Sequence, residues 1–108
     1  MWTVDLSTVT TAEQKAVEAR AAALASYKAA FDAHLDAIAQ ERQYDNRITI
    51  GSYVASGNPQ YAAEAQAFVA WRDLALASMF EQLAAVEGGA EAPSLEEFIA
   101  ALPTIDWP

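Results

Sequence analysis

His34 is the only histidine and there is no cysteine. On a helix, Asp32 and Asp36 fall two residues to either side of His34 and therefore off its face. That spacing cannot supply three ligands to a zinc ion. No second residue supports a Ser-His-Asp or Ser-Lys arrangement, and no glycine loop is present to cradle phosphate. Asp32 and Asp36 are four apart, so they share a face and can hold one cation between them. The chemistry-bearing residues thus predict a protein that is not an enzyme and has neither metal nor cofactor. The most distinctive stretch is Gln66-Ala67-Phe68-Val69-Ala70-Trp71-Arg72-Asp73. Neighbours on a helix diverge by about 100°, so Trp71 and Arg72 point apart. Phe68, Trp71 and Ala75 can form one surface, leaving Arg72 to pair with a carboxylate. Trp and Arg are the usual anchors of protein interfaces. The same pattern also fits a core aromatic beside a surface ion pair. Trp2 and Trp107, near the two ends, are docked on the fold or held for a partner. Phe68, Trp71, Arg72, Trp2 and Trp107 are the candidate partner-binding residues.

These side chains need elements to position them. Alanine, the best helix former, supplies 26 of the 108 residues. Residues 1–9 alternate apolar and polar types and read as an extended arm. A long helix is expected over 10–43, opened by a capping box between Thr10 and Glu13. Val17, Leu24, Phe31 and Ile38 recur every seven residues along it, forming one apolar stripe. The positions three further on are Arg20, Tyr27, His34 and Glu41, which argues against a strict two-stranded coiled coil. Residues 44–58 are a short helix or loop. Arg47-Ile48-Thr49-Ile50 has strand-like β-branching, whereas Asp45 or Asn46 can cap a helix. Asn58 followed by Pro59 signals the start of a second long helix over 59–87. Its apolar residues cover much of its circumference, so it is central or half of an interface. Gly88-Gly89 ends it. Ser94 with Glu97 opens a short helix over 94–102, and 103–108 form an extended tail. The expected fold is therefore mainly α: one domain, with two long helices in a hairpin or bundle and one or two short helices.

The chain is long enough for one core and not two. Hydrophobic residues at 54% exclude a disordered chain. A formal charge of -9 with only six Lys and Arg argues against nucleic acid and against an anionic membrane surface. No apolar run reaches membrane-spanning length, and the start lacks the basic and apolar regions of a secretory signal. A soluble protein is expected, with homo-oligomerisation to cover the apolar second helix.

Tyr44-Asp45-Asn46, Ser52-Tyr53, Asn58-Pro59 and above all Gln66 to Asp73 resemble a family of small tailed-phage and prophage proteins. Members of that family are described as tail-fibre assembly proteins or as phage domains of unknown function. The resemblance spans roughly residues 43–85. It implies a tail-fibre or other tail protein as partner and no catalytic residues. It implies residence in the bacterial host cytoplasm during assembly, or in the virion. A structural subunit of the tail or fibre apparatus is the alternative role.

Overall fold

The computed structural model describes the backbone of residues 2–108 and the side chains of residues 11–108. Four helices follow one another: α1 (Trp2–Gln40), α2 (Arg47–Gly51), α3 (Pro59–Glu87) and α4 (Leu95–Ala100). Among the described residues there is no strand. α1 begins at Trp2, where an extended arm was expected over 1–9; the side chains of Trp2 and of Thr10, the expected cap, lie outside the described residues.

α1 stops at Gln40, three residues earlier than expected, because the chain turns there. Gln43 takes a positive φ of 72°. Its N–H donates to Gln40 O at 3.1 Å, and the Tyr44 N–H reaches back to Ala39 O at 3.3 Å. This pair of bonds is a Schellman cap, built around a residue type that pays for the left-handed conformation glycine adopts freely. α2 follows at once. Asn46 caps it, its side-chain oxygen accepting from the Ile48 and Thr49 N–H groups, both at 2.9 Å. Asp36 accepts from the Arg47 N–H at 3.0 Å. These two anchors decide the helix-or-strand ambiguity of Arg47 to Ile50 in favour of helix, overriding β-branched propensity. α3 begins and ends where the sequence predicts. Asn58 accepts from the N–H groups of Gln60 and Tyr61 at 3.0 and 3.2 Å, with Pro59 in the first turn. In α4, Ser94 and Glu97 form the reciprocal capping box.

α1 and α3 run antiparallel. Arg42, just past α1, meets Glu64 near the start of α3, and His34 lies edge-on to Trp71 further along. Between them sits the core: Tyr27, Phe31, Leu35 and Ala39 from one side, Ala65, Phe68, Trp71, Ala75 and Met79 from the other. Ile50 closes the hairpin end, and Phe98 with Leu102 closes one lateral face. Two details differ from expectation. Val17 and Leu24, half of the seven-residue stripe, are exposed, whereas Tyr27 from the polar-looking second line is buried. A tyrosine serves as a core residue here because its hydroxyl donates to Pro93 O at 2.6 Å.

Candidate protein-interaction surface

Two grooves flank the α1–α3 pair, and they are treated differently. One is closed by the chain's own C-terminal segment. Phe98 inserts against Tyr27, with ring centroids 5.0 Å apart. The Trp71 indole N–H donates to Pro103 O at 2.7 Å, and Gln82 donates to Phe98 O at 3.2 Å. Trp107 then lies half-buried at the hairpin base. Its indole N–H donates to Glu41 at 3.1 Å, and the Arg42 guanidinium sits 5.0 Å over its ring. Buried indole and phenol groups need hydrogen-bond partners; here prolyl carbonyls of the strap provide them.

The structure therefore redistributes the candidate residues. Phe68 is fully buried and Trp71 nearly so. Both are core side chains and offer no surface to a partner, which corrects the expectation for them. Trp107 is docked on its own fold. Arg72 is partly exposed and pairs with its neighbour Asp73 at 3.1 Å. Of the four candidates among the described residues, only Phe68 and Trp71 are in ring contact with each other, at 5.7 Å; the Trp2 side chain lies outside them.

The opposite groove is open. It has a volume of about 530 Å³, within the range of ligand and anchor pockets. Phe31, Leu35 and Met79 form its floor. Ile48 and Phe80 stand on its walls, 73% and 61% exposed. Lys28, Arg47 and Arg72 line it as well, so half of the chain's six cations gather in this groove. Arg47 is fixed there by Asp36, at 2.8 Å, with Asp32 at 3.8 Å. The two aspartates thus hold one cation, as their spacing suggests. Lys28 also bonds Asp32, at 3.1 Å. Phe80 and Ile48 are the exposed groove residues that sequence reasoning missed. In the sequence Phe80 is one of many apolar residues around α3, and Ile48 belongs to the β-branched Arg47–Ile50 run.

A second polar feature lies at the hairpin base. Glu64 is 4% exposed. It accepts from the Tyr44 hydroxyl at 2.9 Å and from Arg42 at 3.2 Å. Burial, and then the bond to Glu64, push the Tyr44 hydroxyl up to about 12. Burial also lowers the His34 pKa, against the opposing pull of Glu41. Among the described residues, no three His, Asp or Glu side chains come together in a metal-holding group. No described helix is long and apolar enough to cross a membrane. Comparison with protein-family models, curated proteins and solved structures finds no match for the chain.

Proposed function

We propose that this protein is a tail-fibre-associated assembly protein of a tailed phage, acting through protein–protein contacts and not as an enzyme. Its partners in this reading are a tail-fibre or other tail protein and a second copy of the chain. The observation that carries the binding role is the open groove beside α2, where Ile48 and Phe80 leave large apolar surface in water. Exposed apolar walls around a concave apolar floor are what a docking partner covers. The phage assignment rests on the resemblance over residues 43–85.

The reading is tested by co-purification with the fibre. Phe80→Asp with Ile48→Asp should abolish capture while the circular-dichroism spectrum stays helical, because both side chains stand outside the core. Trp71→Ala is unsuitable, since it removes a core side chain. Undiminished capture by the double variant would exclude the groove, and a fibre that matures normally without the protein would exclude the assembly role. Quantitative mass spectrometry of purified particles separates the alternative: a fixed copy number there identifies a structural subunit of the tail.

A further inference from the structure

The open groove is short, and both its shape and its charges describe an occupant. Its lining runs from Arg72 to Phe80 along α3 and from Lys28 to Leu35 along α1. At 1.5 Å per residue these stretches are about 12 Å and about 11 Å long. α2 stops the groove at the hairpin end, where Ile48 and Gly51 reach the lining. A groove between two packed helices is a natural seat for a third. Apolar anchors at i, i+4 and i+7 of a visiting helix span about 11 Å. The floor of Phe31, Leu35 and Met79 therefore takes two turns of such a helix.

The rim selects the sign of charge. Its acids are already engaged. Asp36 accepts from the Arg47 N–H and, through both oxygens, from the Arg47 guanidinium. Asp32 accepts from Lys28 and lies 3.8 Å from Arg47. The cations stand further out: the Lys28 and Arg72 side chains are 68% and 38% exposed, against 28% for Asp32 and 29% for Asp36. Both keep unused donors. Lys28 has three N–H groups and gives one to Asp32. Arg72 bonds only its neighbour Asp73, through Nε and Nη2, which leaves Nη1 without a partner among the described residues. An incoming segment thus meets N–H donors on both walls, Lys28 on α1 and Arg72 on α3.

The two donors are staggered. His34 lies against Trp71 and Arg42 against Glu64, which sets the register of α1 on α3. Arg72 is therefore level with residue 33 of α1, and Lys28 lies five residues further from the hairpin base, about 7.5 Å along the axis. Two positions five apart on a helix, such as i+3 and i+8, are separated by that same distance. They lie about 140° apart, one on each flank of the i, i+4, i+7 stripe. The chain's charge of -9 opposes an acidic partner only at a distance. That repulsion is screened beyond about 8 Å at physiological salt, whereas the rim cations act in contact.

A second copy does not supply such a segment. Acids five apart occur in this chain at Glu13–Glu18, Asp36–Glu41 and Glu91–Glu96. The first pair has Thr10 and Gln14 at two of its three anchor positions. In the second, Asp36 is bound to Arg47. The third spans the loop into α4.

We propose that the groove seats a short amphipathic helix of a partner protein, with apolar anchors at i, i+4 and i+7 and acidic residues at i+3 and i+8 received by Lys28 and Arg72. The assignment rests on the groove being the docking surface of the proposed function, and it names the segment that docks.

The test is selection from a displayed library of helical peptides about 14 residues, or four turns, long on the immobilised full chain. Leu, Ile, Met or Phe occupy i, i+4 and i+7, while i+3 and i+8 vary among Glu, Gln and Lys. Peptides with Glu at both positions should be enriched about tenfold or more over those with Lys at both, since two ion pairs become two repulsions. On a Lys28→Gln, Arg72→Gln chain the preference should vanish, and on Lys28→Glu, Arg72→Glu it should turn to Lys, with helix content measured alongside. The Phe80→Asp, Ile48→Asp chain should select none of them. Equal recovery of Glu, Gln and Lys peptides, a preference for Lys, or a Glu preference that survives loss of both cations overturns the acidic helix; the groove then stands or falls by fibre capture alone. Recovery of no peptide overturns it too. So does a dimer, seen by sedimentation equilibrium, that Phe80→Asp with Ile48→Asp dissolves, because a second copy then fills the groove. Fibre capture undiminished by that double variant, with Glu peptides still selected by the wild-type groove, removes the fibre from the proposed function and keeps the helix site.

Discussion

Arg42→Ala perturbs the hairpin base at the point where a buried charge is held. Glu64 has a side chain only 6% exposed, and Arg42 contributes the single cation paired with it among the described residues, at 3.2 Å. Removing Arg42 leaves the carboxylate with the Tyr44 hydroxyl as its remaining partner. A hydrogen bond to a charged group contributes about 1.5–3 kcal/mol. Breaking a fully buried pair costs about 3–5 kcal/mol. Arg42 itself is 35% exposed, so water can replace part of what it gives, and the lower range applies. The guanidinium over Trp107 adds about 0.5–1 kcal/mol for a cation–π contact at an exposed site. Together these predict a loss of about 2–4 kcal/mol, a large share of the 5–15 kcal/mol of a typical small domain. With a urea slope of about 2 kcal/mol/M, the middle of the range for small proteins, the midpoint should fall by roughly 1–2 M. Equilibrium urea unfolding followed by circular dichroism reads this directly. A double-mutant cycle with Glu64→Gln isolates the pair. A midpoint within about 0.2 M of wild type, with coupling near zero, would show that water solvates Glu64 and that the ion pair contributes nothing.

Two further outcomes follow from single residues. Gln43→Gly should stabilise the protein by about 0.5–1 kcal/mol, because position 43 has a φ of 72° and glycine accepts that conformation without a Cβ clash; an unchanged or lowered urea midpoint would contradict it. Tyr44 carries a folded-state pKa of about 12 against an ordinary 10.0. Its contribution to stability is therefore complete below pH 10 and is lost as pH rises through 12. Tyr44→Phe should lack that alkaline loss, and phenolate absorbance of the wild type should show one tyrosine titrating late.

What the sequence makes legible here is local. Caps are short-range chemistry, so Asn58-Pro59, Gly88-Gly89 and the Ser94–Glu97 box place three helix boundaries correctly. What it hides depends on through-space partners. Tyr27 reads as a polar interruption of the α1 stripe until Pro93, 66 residues away, accepts its hydroxyl. Glu64 reads as one of few charges on an apolar helix and turns out to be buried, because Arg42 and Tyr44 converge on it. Trp71 and Phe68 have the composition of an interface hot spot, and composition cannot separate that from a core. The distinction lies in whether residues 93–107 fold back over them.

That fold-back also explains which face is left for other molecules. An antiparallel pair of long helices has two lateral grooves, and the segment that follows α3 fills one of them. Phe98, Leu102 and Trp107 are spent on the Trp71 side. On the other side α2, only five residues long, covers the hairpin end and stops. Phe31, Leu35 and Met79 are left as a floor, with Phe80 and Ile48 in water above them. That apolar surface is carried on the outside, where leaving it uncovered favours association with another chain.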